Sequence, residues 1–305
     1  MMRTRIRVGT RASQLALAQT NQVIEELRRA VSKLKCDIIP IRTKGDQMHE
    51  MGASVEKKDI FTREIEEALI EDKIDIAIHS MKDLTVDLQS GITIAAVPKR
   101  VNPHDVLISR EKRRFMQLPA GSRIGTSSPR RRSQLLAARS DLEFVDIRGN
   151  VETRLRKVAS GVYDAIILAA AGLERLHLED EVTEILPTNL MLPAIGQGAL
   201  AIQSRDSDEE IIDLFTKIDH SITRREIEAE RAFAKKLGGN CRTPIAAYAR
   251  SYSSKLTIEG MIASLNGRML VRGRVTSDNP RSFQVGEELA RSLLDKGAEA
   301  LLEKM

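Results

Sequence analysis

The chain has 305 residues, 42% apolar and 30% charged, with a formal net charge of +5 and a pI near 9.2. That length gives room for two or three domains with their own cores. No apolar run nears the ~18 residues of a membrane span, so no membrane partner is expected. The basic balance points to an anionic partner. With no Trp, six Phe and three Tyr, the chain has no basic stretch interleaved with aromatics for base stacking, which argues against nucleic acid. Met1-Met-Arg-Thr-Arg-Ile-Arg7 runs into a strand with no secretory core, which predicts a cytoplasmic protein. Its two cysteines, Cys36 and Cys241, are then not expected to pair.

Arg5 to Thr10 reads as a strand. Arg11 and Ser13 follow, and a helix opens near Gln14 with Leu17, Ile24, Leu27 and Val31 on one face. Ser13 suits the N-cap, and Arg11 beside free helix N–H groups suits a carboxylate. Cys36 to Arg42 is the next strand, with Cys36 read as a buried structural thiol. Thr43 to Asp59 is a long polar loop with Lys44, Lys57 and Lys58, of the kind that faces ligands. A helix follows with Phe61, Ile65, Ala68 and Leu69 on one side and Asp59 as its cap. It leads to Ile74–Ile78, a short apolar strand that breaks into His79-Ser80-Met81-Lys82-Asp83. Open α/β sheets bind ligands at the carboxyl ends of their strands. An ionised Asp83 beside the Lys82 ammonium is suited to stabilising a cation formed on a bound molecule. Thr93–Val97 is a strand and Pro98–Pro103 a crossover linker.

The pattern then repeats. Arg123-Ile-Gly-Thr126 echoes Arg7-Val-Gly-Thr10, and Tyr163-Asp164-Ala-Ile echoes Ile74-Asp75-Ile-Ala, at unequal offsets. Unequal offsets exclude a solenoid and predict two similar βαβ domains with different loop lengths. Thr126, Ser127 and Ser128 precede Pro129, which suits the first helical position, and Arg130 and Arg131. Strand Glu143–Ile147 ends in Arg148-Gly149-Asn150, with Arg154 one turn into the next helix. Gly149 permits close backbone approach. After Ile166-Ile-Leu-Ala169 comes Ala170-Ala-Gly-Leu-Glu-Arg175. Three successive strand ends thus present arginine at turns rather than along helix faces.

Gly196-Gln197-Gly198-Ala-Leu-Ala201 mimics a dinucleotide fingerprint, but it precedes a strand and opens no helix, so it reads as the return crossover. The five histidines lack Cys or acid partners at ligand spacing, and no metal is expected. Helices are predicted over Asp208–Ile218 and Ile222–Leu237, the second ended by Gly238 and Gly239. Cys241 then lies in a Gly-rich loop beside Arg242. That setting fits a reactive thiol and fits a small loop residue equally well. Strands Ile245–Ala249, Leu256–Ala263 and Met269–Val275, joined by turns such as Leu265-Asn-Gly267, precede a helix over Phe283–Glu303. Together these predict an α/β fold: two similar periplasmic-binding-protein-like βαβ domains forming a clamshell, plus a small α+β third domain. The domains expected are 1–98 with 199–219, then 99–198, then 220–305.

From Arg11 to Pro244 these motifs resemble the porphobilinogen deaminase (hydroxymethylbilane synthase) family. The resemblance rests on His-Ser-Met-Lys-Asp (79–83), Gly-Thr-Ser-Ser-Pro-Arg-Arg (125–131), Arg-Gly-Asn-Val-Glu-Thr-Arg (148–154), Ala-Ala-Gly-Leu-Glu-Arg (170–175) and Gly-Gly-Asn-Cys-Arg-Thr-Pro (238–244). It implies a transferase of tetrapyrrole biosynthesis that condenses four porphobilinogen molecules head to tail into hydroxymethylbilane, releasing ammonia. It implies a dipyrromethane cofactor covalently linked through Cys241, with Asp83 as the catalytic acid. It also implies that Arg11, Ser13, Lys58, Ser80, Lys82, Thr126, Ser128, Arg130, Arg131, Arg148, Gly149, Asn150, Arg154, Arg175 and Gln197 hold cofactor and substrate. A monomer is expected. Where the family carries two lysines around glycines, this chain reads Ser54-Val-Glu-Lys-Lys-Asp59, so Lys58 matches one and Ser54 stands at the other. From the residues alone, a non-catalytic anion-binding clamshell is the alternative, but it leaves Cys241 without a use.

Overall fold

The structure is a computed structural model that describes residues 3–31, 33–46, 59–238, 244–278 and 281–303. In chain order it begins β1 (Arg5–Arg11), α1 (Gln14–Ala30), β2 (Lys35–Ile41), α2 (Arg63–Ile70), β3 (Ile76–Ser80), β4 (Ile92–Ala96) and β5 (Asp105–Ser109). It continues β6 (Arg123–Gly125), α3 (Pro129–Ala138), β7 (Glu143–Val145), α4 (Val151–Ala159), β8 (Ala165–Ala169), α5 (Ala170–Arg175) and β9 (Glu184–Ile185). Then come β10 (Leu200–Arg205), α6 (Glu209–Phe215), α7 (Ser221–Lys236), β11 (Ile245–Tyr252), β12 (Lys255–Ala263), β13 (Leu270–Ser277), α8 (Ser282–Leu293) and α9 (Glu299–Glu303). Residues 1–101 with 199–224 form one compact unit, and 102–198 with 225–305 a second.

The first unit holds a sheet of order β2-β1-β3-β10-β4, and the second holds one of order β7-β6-β8-β5-β9. In both, the first three strands are parallel, and the fourth (β10 or β5) runs antiparallel to both neighbours. The repeat read from sequence therefore occupies equivalent places. Gly9 pairs with Ala77 on β3, and Gly125 with Ile166 on β8. The Asp75 amide donates to the Arg7 carbonyl at 2.9 Å, and the Asp164 amide to that of Arg123 at 2.9 Å. Each carboxylate accepts in return from the same partner's backbone, Asp75 from Arg7 at 2.6 Å and Asp164 from Arg123 at 2.8 Å. Glycine before each turn leaves room for its neighbours: a Cβ there would force Ile74 to move in one unit and press on Ile166 and Tyr163 in the other.

In the first unit, Val23, Ile24 and Leu27 of α1 pack with Ile6, Val8, Ile76 and Ile78 and with Ile211 and Phe215 of α6. The other face meets Ile65 and Leu69 of α2. The second sheet is covered by Leu135 of α3 on one face and Val158 of α4 on the other. β2 lies at the sheet edge, where Pro40 is tolerated because one side of the strand needs no donor. In the second unit, β11-β12-β13 form an antiparallel sheet packed against Phe233 of α7 and Leu289 and Leu293 of α8. The expected fold class, two α/β sheets with a small α+β third layer, is what the structure contains.

Four details depart from the sequence reading. The expected C-terminal helix breaks at Gly297, whose φ of +91° ends one helix before α9 begins. Strand β5, which follows the Asn102-Pro103 end of the linker after one residue, was not anticipated. Phe61 sits in a 3₁₀ turn, Asp59–Phe61, ahead of α2 rather than within it. Cys36 is half-buried, packed at the margin of the first core. No helix among the described residues is long and apolar enough to cross a membrane.

Candidate active site

Parallel strands carry their carboxyl ends to one edge, and in the first unit that edge collects Arg11, Ser13 and Ser80–Asp83. Ser13 caps α1, accepting from the Ala16 amide at 3.3 Å. Ser80 accepts from the Gln19 side chain at 2.8 Å, and the Met81 amide donates to the Ala199 carbonyl at 3.0 Å. These bonds fix the 3₁₀ turn Met81–Asp83. Lys82 and Asp83 are half-buried on it. The Asp83 carboxylate has no hydrogen bond or ion pair among the described residues. A half-buried carboxylate without a protein partner is available to a ligand N–H. Arg11 differs. Asp46 takes its Nη2 at 2.5 Å and its Nε at 3.1 Å, and the Phe61 ring lies 4.4 Å from the guanidinium carbon.

His79 was singled out only as part of a motif. Its ring is buried, and Nε2 has no hydrogen-bond partner among the described residues. Burial pushes its pKa down to about 4, reinforced by Arg11 and opposed by Gln203.

In the second unit, Thr126 Oγ1 accepts from the Ser128 amide at 3.2 Å, and Ser128 caps α3 through the Arg131 amide at 3.4 Å. Asn150 caps α4, accepting from the Thr153 amide at 2.9 Å. Gly149 has a φ of +112°, and a Cβ there would press on Thr153, so only glycine makes this turn without strain. Arg154 donates Nε to the Gly149 carbonyl at 2.8 Å and meets no carboxylate among the described residues. Burial, helped by Arg131 and Arg148, pushes its pKa down to about 10. Arg175 donates to the Gly198 carbonyl at 3.0 Å, and burial pushes it likewise to about 10 against the pull of Glu174. Arg148 makes no side-chain hydrogen bond or ion pair among the described residues. Guanidiniums keep their proton at neutral pH, so the desolvated cations of Arg154 and Arg175 favour an added anion.

Arg130 and Arg131 each carry a counter-ion. Both are buried, at 7% and 9% exposure, and both bind Asp105, which is fully buried. Asp105 Oδ2 accepts from Arg130 Nη1 at 2.8 Å, and Oδ1 from Arg131 Nε at 2.8 Å. Burial alone would raise the Asp105 carboxyl, but the two guanidiniums outweigh it and hold it well below the usual range. Gln197 donates to the Pro103 carbonyl at 2.7 Å and also bonds Asp105. Three residues singled out from sequence thus converge on an acid that sequence reading missed. Nothing local marks Asp105; only the antiparallel insertion of β5, which pairs it with Ala169, brings it to the edge where the parallel strands end. Lys58 and Cys241 lie outside the described residues.

Residues 6–213 match the family described as porphobilinogen deaminase, dipyromethane cofactor binding domain, and residues 224–295 match porphobilinogen deaminase, C-terminal domain. The porphobilinogen deaminase of Syntrophus aciditrophicus is 45% identical over 301 residues, 98% of each chain. That of Desulforudis audaxviator is 45% identical over 305 residues, covering 100% of this chain and 99% of its own. That of Brevibacillus brevis is 43% identical over 98% of this chain and 97% of its own. With both family regions matched in order along nearly the whole length, the chain belongs to the porphobilinogen deaminase family.

Proposed function

We infer that this chain condenses four porphobilinogen molecules head to tail into hydroxymethylbilane on a dipyrromethane primer, with Asp83 as the acid that stabilises the reaction's cation. The observation that carries the assignment of Asp83 is its half-buried carboxylate, without a hydrogen bond or ion pair among the described residues, on a turn anchored through Ser80 and Met81. In each turnover the aminomethyl C–N bond of porphobilinogen breaks, ammonia leaves, and a cationic methylene-pyrrolenine remains. A pyrrole α-carbon attacks it, a C–C bond forms and the α-proton departs. When bound, the dipyrromethane supplies the first α-carbon.

The chain's own residues do the rest. Asp83 accepts pyrrole N–H and offsets the developing positive charge, which a fixed anion does best where water is scarce. It also stands where proton transfers can pass through it. The cofactor and every added pyrrole bring carboxylates. The desolvated guanidinium of Arg154, which meets no carboxylate among the described residues, the half-buried Arg148 and the desolvated Arg175 fit such groups. Arg11 serves the same need from the first unit, beside Ser13, Ser80 and Lys82. Thr126, Ser128, Gly149 and Asn150 shape the second unit's edge. In this division of labour, 1–98 with 199–219 carries the acid, 99–198 the carboxylate-binding side, and 220–305 the attachment cysteine.

Cys241 is the proposed attachment point, on the match of its Gly-Gly-Asn-Cys-Arg-Thr-Pro segment and the family region that covers it. The test is mass. The purified protein should exceed its sequence mass by two linked pyrrole units and colour with an acidic aldehyde reagent. Cys241→Ala should lose that mass, with none on Cys36, where burial raises the thiol pKa and so disfavours the thiolate. Finding the pyrroles on Cys36 overturns the assignment.

A further inference from the structure

Arg130 and Arg131 are consecutive residues in the first turn of α3, and two neighbouring guanidiniums repel. Left to themselves they would splay. Instead both are drawn onto the Asp105 carboxylate, with further N–H groups held by backbone carbonyls. Arg130 Nη2 reaches Asp105 Oδ1 at 3.1 Å, and Nη1 also donates to the Leu192 carbonyl at 2.6 Å. Arg131 Nη2 lies 2.7 Å from the same Oδ1, and Nη1 donates to the Ile167 carbonyl at 2.8 Å. Leu192 is itself held, its amide donating to the Gln134 side chain at 2.8 Å. Asp105 cannot drift, being a fully buried strand residue. One anion thus gathers two cations and leaves one net positive charge. Arg130 Nε keeps no partner among the described residues.

We propose that Asp105 is a positioning residue: it fixes the paired guanidiniums of Arg130 and Arg131 in the orientation that receives a pyrrole carboxylate. This rests on the reading that these arginines contact substrate or cofactor. A residue present only for charge balance would be replaceable by any change that preserves net charge. A positioning residue would not, because a guanidinium recognises a carboxylate through the direction of its N–H bonds.

The experiment compares Arg130→Met with Arg130→Met/Asp105→Asn, each normalised to primer-bearing protein by mass. The double variant keeps the net +1 of the native triad, so the buried charge is unchanged. If Asp105 orients Arg131, the double variant has a KM for porphobilinogen at least tenfold above that of the single variant, with melting temperatures within a few degrees. Equal KM values overturn the proposal. Asp105→Glu gives a second reading should the double variant fail to fold: it keeps the charge but shifts it by one methylene. A KM raised about tenfold at unchanged melting temperature supports positioning, and an unchanged KM refutes it. Arg131→Gln separates this from the underlying site reading. If that variant binds substrate as wild type does, the arginines are not ligands and the site assignment falls first.

Discussion

Replacing Asp83 by Asn removes one negative charge while keeping the side chain's shape. The carboxylate has no hydrogen bond or ion pair among the described residues, so the change orphans no partner. Stability should therefore move by no more than about 0.5 kcal/mol, a shift of about 2 °C in Tm for units of this size. The effect on rate should be much larger. An anion about 4 Å from a developing cation contributes roughly 4 kcal/mol at the effective dielectric of a half-buried site. At 1.36 kcal/mol per decade that is about a thousandfold in kcat. The assay is the initial rate of ammonia release at saturating porphobilinogen, with the denaturation midpoint followed by circular dichroism on the same preparation. Asp83→Asn with a rate within tenfold of wild type would refute the electrostatic role. A collapse of Tm would show instead that the turn needs the charge to fold.

Gly149→Ala should cost about 1–3 kcal/mol of strain, because its φ of +112° suits only glycine and the new methyl presses on Thr153. A raised KM accompanying the lower Tm, read by steady-state kinetics and calorimetry, is the expected result; an unchanged Tm would mean the turn relaxes freely. For His79, burial lowers the folded pKa to about 4. The folded state therefore binds fewer protons than the unfolded chain between about pH 6.5 and pH 4. Its contribution to stability is fully present above pH ~6.5 and is lost as pH falls toward 4, in all roughly 3 kcal/mol. Urea unfolding at the two ends of that window should show the loss, and His79→Leu should flatten it; an unchanged slope in the variant would place the titration elsewhere.

The turn motifs were legible because their physics is local. Ser13, Ser128 and Asn150 cap the helices they precede. The internal repeat was legible because a glycine before each turn and an acid before each partner strand answer the same steric and hydrogen-bonding demand twice. Family motifs placed Asp83 on the turn that the structure leaves open.

What sequence could not supply was the pairing of charges distant along the chain. Arg11, Arg130 and Arg154 look alike in sequence, each an arginine at a strand-to-helix turn. The fold gives the first to Asp46, buries the second on Asp105 and leaves the third without a carboxylate among the described residues. Those fates depend on strand order and direction: whether a guanidinium meets an acid is settled by which strand lies beside it and which way that strand runs. A residue's own neighbours in sequence specify its backbone angles and its cap. Its counter-ion and its desolvation come from segments tens of residues away, and only the assembled sheet determines which acid, if any, each of these arginines meets.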